Sequence, residues 1–332
     1  MRPDAMVARR IRVSVLAAAL VLAAFQAEAA EGEPRYPNRP VRLITGSLGG
    51  ASDFVARLVA QKLGERWGQQ VVVDNRAGVA ATVGTAIAAK SAPDGYTLAV
   101  GLTGTHAAPQ FLYRTLPYDP VRDFAPISLL SNAGIALVVH GSVPARNAAE
   151  FIAYARSRPG AVNYASAGSG TTSQLAGELF NQMTKAQLVH VPYRGAGLAI
   201  TGVLGAETQS ALLATSSVTP HLSAGRLRAL AVLSEKRFQA TPGIPSAPEA
   251  GLPGVNASVW TGLFAPANTP RSIVNLINRE VVNILKLAET RETLARQGAE
   301  PIPSTPEAFA GFLEREIVKW GTVIRAAGLR VD

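Results

Sequence analysis

From residue 41 onward, short runs of aliphatic and β-branched residues alternate with longer stretches whose apolar positions recur at helical spacing. Residues 41–45 (VRLIT) predict a strand, and 53–64 a helix with Phe54, Leu58, Val59 and Leu63 on its apolar side. A strand at 71–74 and a helix at 82–90 follow, and Pro93-Asp94-Gly95 turns the chain into a strand at 96–100. The apolar run 135–140 opens a second series: helix 148–157, strand 162–165, helix 172–183, strand 188–191, and strands near 209–214 and 227–233. A connector rich in Pro and Gly, 242–254, closes it. Residues 260–265 then open a helical tail at 272–287, 289–297 and 306–326. Such alternation predicts an α/β protein with largely parallel sheets.

Two stretches share one design. "LITGSLGGASDFVARL" and "NYASAGSGTTSQLAGEL" both run from strand through a Gly-rich turn to a hydroxyl or Asp cap and a helix. Ser52, Asp53, Thr171 and Thr172 are all natural N-cap residues. The second turn resembles a phosphate cradle, but the residues exclude a nucleotide. A P-loop needs Lys and a hydroxyl after its last Gly, and here Gly170 precedes Thr171-Thr172-Ser173. The dinucleotide fingerprint needs a third Gly where Ser173 stands, and an acid about 20 residues on, where the chain reads HVPYR. What remains is generic: free N–H groups at a helix N-terminus, neighbouring hydroxyls and a dipole that favours an anion. A carboxylate fits this better than a nucleotide does. Each turn taken alone is also what an ordinary capped β–α connection looks like.

Composition narrows the class. Arg2, Arg9, Arg10 and Arg12 precede an apolar run at 13–25, and Ala27-Glu28-Ala29 is an A-x-A cleavage site, so residues 1–29 are expected to be a secretory signal peptide. The run is shorter than the ~20 residues of a membrane span, and a periplasmic location is expected. The chain has no Cys, which excludes lipid attachment at a cysteine, disulfides and thiolate metal sites. Removing the leader takes four of 32 basic and two of 23 acidic residues, leaving a net charge of +7. The basic residues are scattered and aromatics sparse, so no nucleic-acid partner is expected. The charge gives a modest bias toward anionic ligands.

Catalytic signatures are missing. The four histidines show no H-x-x-x-H or H-E-x-x-H spacing, and no G-x-S-x-G elbow surrounds a serine. No enzyme activity, cofactor or metal is therefore expected. His106, in "GLTGTHAAP" after a strand, is a candidate to line a cleft, and Thr103 and Thr105 offer hydroxyls at the same strand end. Asp53 is expected to act mainly as an N-cap, with a second role in orienting water or binding an ammonium group. Asn75 ends its strand and its amide is expected to face the cleft; Tyr193 joins the candidates from "PYRG". His190 reads as structural, and His140 and His221 have no supporting context.

Motifs along the whole mature chain carry a resemblance. "YPNRPVRLI", "GGASDFVAR", "VVVDNRAG", "SAPDGYTL", "YDPVRDFAPISLL", "YASAGSG", "HVPYRG", "AGRLRALAVLS", "WTGLFAPANTP" and the terminal Trp320 occur in order. With them the sequence resembles the Bug family, the periplasmic solute-binding proteins of tripartite tricarboxylate transporters. The resemblance implies a two-lobed periplasmic binding protein, type II-like, with two β-sheets flanked by helices and a hinge. Lobe 1 would comprise 30–131 and 257–332, and lobe 2 132–256, with crossings near 130–138 and 252–260. It implies a ligand carboxylate held between two loops. Carried over, the first contains Ser47, Leu48, Gly49, Gly50, Ser52 and Asp53, and the second Ser166, Ala167, Gly168, Ser169, Gly170 and Thr171. The implied partners are a small organic carboxylate (a di- or tricarboxylate, an aromatic acid or an acidic amino acid) and membrane transporter subunits, with the protein itself a monomer. A sensing role beside a membrane kinase would use the same fold. Three positions depart from the family pattern: Ser47-Leu48 replaces a Pro-rich run, Gln174 stands where many members have His, and Gly202 where many have Asp.

Overall fold

The computed structural model describes residues 36–46, 50–76 and 82–331. Among the described residues eight strands join in one continuous path, β2-β1-β3-β9-β4-β7-β5-β6, and two more, β8 and β10, pair with β4. Two parallel groups lie at its ends. In the first, β1 (Val41–Thr45) pairs in parallel with β2 (Val71–Asn75) and β3 (Thr97–Leu102). In the second, β5 (Asn163–Ser166) pairs in parallel with β6 (Val189–Pro192) and β7 (Ser210–Ala214). The expectation of largely parallel sheets holds within each group, and antiparallel strands join them.

The join is β4 (Phe124–His140), one strand of 17 residues where the sequence pattern marked only its apolar second half. Residues Phe124 to Gly134 pair antiparallel with β9 (Ser258–Pro266). From Ile135 the strand pairs instead with β7 and with β8 (Leu227–Val232). The change of partner falls at Gly134, where a Cβ would collide with the Val232 side chain. β4 is thus shared by both sheets, and β10 (Glu300–Pro301) closes against it.

Helices cover the sheets as their apolar spacing demands. In order they are α1 (Gly50–Trp67), α2 (Thr82–Ala89), α3 (Pro109–Leu112), α4 (Ala148–Arg156), α5 (Thr172–Thr184), α6 (Ala196–Leu204) and α7 (Thr215–Ser223). The tail supplies α8 (Arg271–Lys286), α9 (Ala288–Arg296) and α10 (Pro306–Ala327). A single π-helical turn, Thr103–Ala107, follows β3. Along α8, Val274, Ile277, Val281, Ile284 and Leu285 are buried at i, i+3/i+4 spacing, so one stripe faces the sheet. Gly328, at φ 65°, terminates α10 in the left-handed conformation that favours glycine.

Buried tryptophans anchor the tail. Trp260 of β9 and Trp320 of α10 both donate their indole N–H to one Glu316 Oε2, at 3.0 and 2.8 Å. Both rings are fully buried, and the carboxylate also pairs with Lys319. A shared acceptor satisfies two donors that burial would otherwise strand.

Candidate ligand-binding site

Strands β1, β3, β5 and β7 direct the chain toward one cavity of about 380 Å³. Gly46 leaves β1, Leu102 ends β3, and Gly104 lies in the π turn. Thr171, Thr172 and Ser173 form the N-terminus of α5, Ala196 begins α6, and Ala214 precedes α7. Ala167, Gly170, Ile135, Leu213 and Val259 complete the wall. The N-termini of α5, α6 and α7 therefore meet in one space. Each leaves first-turn N–H groups that the helix itself cannot satisfy. Gly195 and Ala214, the N-cap residues of α6 and α7, have no side chain to satisfy them. Partial positive charge from three helix ends is thus presented without a cationic side chain.

The second predicted turn reaches this cavity through Ala167, Gly170 and Thr171. Three of its N–H donors are already spent internally. Gly168 N–H donates to Ser166 Oγ at 3.1 Å, Ala167 N–H to Ser173 Oγ at 3.2 Å, and Gly170 N–H to Gln174 Oε1 at 2.7 Å. Thr171 is the true N-cap of α5: its hydroxyl accepts from Gln174 N–H and donates to Gly168 O at 2.6 Å. Ser166 is buried beneath the turn and Ser169 exposed at its tip, and neither lines the cavity. Thr172 and Ser173, one step further on, line the cavity.

Gln174 also settles the state of His190. The Gly170 N–H can meet only the amide oxygen, so the Gln174 NH₂ faces His190 Nδ1, at 3.2 Å. His190 then carries its proton on Nε2 and donates to Ser166 Oγ at 2.6 Å. The pair has the spacing of a Ser–His dyad but the opposite tautomer, so the imidazole cannot take the serine proton. Burial lowers the His190 pKa from 6.5 to about 4 and keeps the ring neutral.

The structure gives several of the side chains expected at the ligand surroundings within the protein. His106 is fully buried, stacked on Phe264 with ring centroids 3.9 Å apart and edge-on to Phe124, and burial lowers its pKa to about 3. It packs the core behind the cavity. The Thr105 hydroxyl is occupied by Leu102 N–H, Leu102 O and His106 Nδ1, shaping the π turn. Thr103 is wholly buried and its hydroxyl meets no partner in the protein. Asp53 is not an N-cap, because α1 begins at Gly50 and places it in the first turn. Its carboxylate takes Asn75 Nδ2 at 2.7 Å and Arg57 Nε at 3.2 Å, while Arg57 also donates to Asn75 Oδ1 at 2.8 Å. The Asn75 amide is thus committed to α1 rather than to the cleft. Tyr193 lies over Gly202 and donates to Glu207 at 3.0 Å, so a residue larger than Gly at 202 would displace the ring. Ser52 is buried, and Ser47, Leu48 and Gly49 lie outside the described residues.

Sequence reasoning missed the apolar wall of Leu102, Ile135, Leu213 and Val259, and the ends of α6 and α7. A signal existed for α6: Gly195-Ala196 between a strand and an apolar stretch is an uncapped helix start. Among the described residues no group of three His, Asp or Glu is placed to hold a metal. No described helix is long and apolar enough to cross a membrane.

Comparison with known proteins gives the family. Residues 55–329 match the TctC family, described as the tripartite tricarboxylate transporter family receptor. Protein BugT of Bordetella pertussis is 35% identical over 298 residues, covering 89% of this chain and 91% of its own. A protein of R. palustris solved with adipate is 34% identical, with a TM-score of 0.81 over 89% of this chain and all of its own. MatC of Rhodopseudomonas palustris, solved with bound malate, is 33% identical with a TM-score of 0.76 over 87% of this chain and all of its own. The chain belongs to the tripartite tricarboxylate transporter receptor family, whose members are solute-binding receptors with the two-lobed periplasmic binding-protein fold.

Proposed function

We propose that this protein is a periplasmic receptor that captures a small organic carboxylate in the cavity at the ends of α5, α6 and α7 and delivers it to a membrane transporter. The carrying observation is the convergence of those helix N-termini, with Gly170 and Thr171 of the predicted anion turn, on one cavity. Charge-assisted hydrogen bonds contribute roughly 1.5–3 kcal/mol each. Four or five of them, less the cost of association, reach the roughly −8 kcal/mol of micromolar binding. Binding alone is the function; no reaction is required of these residues. The solved relatives with adipate and malate support a carboxylate as the ligand.

The lobes are assigned as 30–131 with 257–332, and 132–256. The exchange of partners by β4 at Gly134 supports a crossing there. Ligand bound between lobes would favour a closed arrangement. Export by a leader ending at Ala29 accounts for the charged, then apolar, first residues.

A thermal-shift screen of acids against their own amides tests the proposal. An acid should raise the melting temperature and its amide should not, because the helix-end donors would lose their anionic partner. Stabilisation by sugars or amines, with none by any acid, would overturn it.

A further inference from the structure

We propose that Thr215 positions the ligand site from behind: it ties the N-terminus of α7 to the turn between α9 and β10, so that capture of an acid and the contact between the two lobes are coupled. This rests on the carboxylate-receptor function proposed above and names a residue that sets that site without touching the ligand. Thr215 is not among the residues lining the cavity, but its neighbour Ala214 is.

Thr215 is wholly buried and serves three neighbours. Its hydroxyl donates to Gly298 O at 2.8 Å, 83 residues away along the chain. Its methyl packs at Gly134, where an added Cβ would lie 3.5 Å from it. Its carbonyl accepts the Thr219 hydroxyl at 2.8 Å within α7. Gly298 comes against the helix backbone to backbone. A Cβ there would stand 2.8 Å from Ser216 N, and its φ of 64° independently favours glycine. Ile135 of β4 is opposite Ala214 of β7, and both line the cavity. The next residues, Gly134 and Thr215, are the ones that meet. One step along each strand therefore separates the cavity from the place where β4 changes partner.

The consequence follows from geometry. No side chain caps α7, and Thr215 gives its hydroxyl to Gly298. The first-turn N–H groups of α7 have no acceptor within the helix and suit an anion. Hydrogen bonds weaken steeply as distance and angle drift, so a helix end that shifts loses its share of the binding. Thr215 belongs to residues 132–256 and Gly298 to 257–332, the two lobes as assigned above, and their bond spans the joint. An acid that orders the end of α7 then also orders the α9–β10 turn, and the coupling works equally in reverse.

Titration calorimetry on the mature chain, stripped of bound ligand, tests this. Adipate, malate, citrate, benzoate and glutamate are the probes, and the tightest of them is carried to the variants. Thr215→Val keeps the shape but removes the hydroxyl and should weaken binding about tenfold, whereas Thr215→Ser keeps the hydroxyl and should stay within about twofold. Gly298→Ala should weaken binding as Thr215→Val does, and the double variant no further than the larger single effect, because both act through one contact. Asn147→Ala removes the cap of α4 and should lower stability with affinity unchanged. Unchanged affinity in Thr215→Val, or an equal loss in Thr215→Ser, would overturn the positioning role and leave the receptor function standing. Failure of every probe to bind the wild type would overturn both. If Thr215→Val does not fold, hydrogen exchange of the wild type decides. The acid should slow exchange at 294–300, none of which lines the cavity, more than in α4. Equal slowing in the two segments, or none, would overturn the proposal.

Discussion

The Gln174 side-chain oxygen accepts the Gly170 backbone N–H at 2.7 Å, across the four residues that turn β5 into α5. One bond thereby fixes three things: the orientation of the amide, the tautomer of His190, and the left-handed conformation of Gly170, whose φ is 75°. The turn that the sequence marks as an anion clamp is held shut by its own side chains. Thr172 and Ser173, just beyond it, line the cavity, and their N–H groups lie in the first turn of α5, where the helix supplies no acceptor.

Replacing Gln174 by Glu should keep the acceptor for Gly170 and turn the donor facing His190 into an acceptor. A carboxylate beside Nδ1 favours the imidazolium, so the His190 pKa should rise from about 4 to above 6.5. Nitrogen-detected NMR titration of the ring measures this; a value unchanged near 4 would refute the hydrogen-bond assignment.

Stability should fall as the solution is acidified. The folded pKa values of His190 and His106 are lowered to about 4 and about 3, below the ordinary 6.5. Between those values and 6.5 the unfolded chain binds more protons than the folded one, so folding is favoured as pH rises through this window and loses ground as it falls. Urea midpoints at pH 4.5 and 7.0 should differ in that order. His106→Phe, which replaces one buried ring by another, should flatten part of the slope.

Removing the carboxylate of Glu316 strands two buried indole donors, at Trp260 and Trp320. An unsatisfied buried group costs about 1–3 kcal/mol, so Glu316→Ala, which strands two, should lose about 2–6 kcal/mol in chemical denaturation. Glu316→Gln keeps an acceptor oxygen and should lose less. Equal losses in the two variants would show that the lysine pair, not the indoles, carries the effect.

Thr171→Ala should cost about 1 kcal/mol of stability, because the hydroxyl caps α5. Gly170→Ala meets no severe contact, since its Cβ would lie 3.4 Å from Val331 and 3.5 Å from Leu112. Its penalty comes from φ, and it should destabilise more than Thr171→Ala. Differential scanning fluorimetry ranks the pair.

Strands and helices were legible wherever one face is buried. Residues 41–45 and the start of α5 at Thr172 fall where their patterns predict, since apolar spacing reports burial directly. The first half of β4 was not, because Ala125, Pro126 and Ser128 break the apolar run and their burial is set by β9, 130 residues away at the Ser131–Thr261 pair. α6 and α7 escaped notice because no side chain caps either helix, Gly197, Thr215 and Ser216 are weaker helix formers, and Pro220 lies inside α7. At the site, the Gly-rich turn was visible as a pattern. Which of its donors are spent depends on side chains from Ser166, Ser173 and Gln174, a tertiary arrangement that spacing does not encode. His106 looked functional because a histidine after a strand so often is; its environment, two phenylalanines from β4 and β9, is assembled only by the fold.

The central claim is that an acid lies with its carboxylate at the α5 N-terminus. A crystal structure of the mature chain grown with a saturating acid that raises its melting temperature tests it most directly. The account predicts carboxylate oxygens within about 3 Å of the Thr172 and Ser173 N–H groups, with the rest of the acid inside the cavity that Leu102 and Leu213 line. A carboxylate held instead by a charged side chain, or an acid lodged away from the ends of α5, α6 and α7, would contradict it.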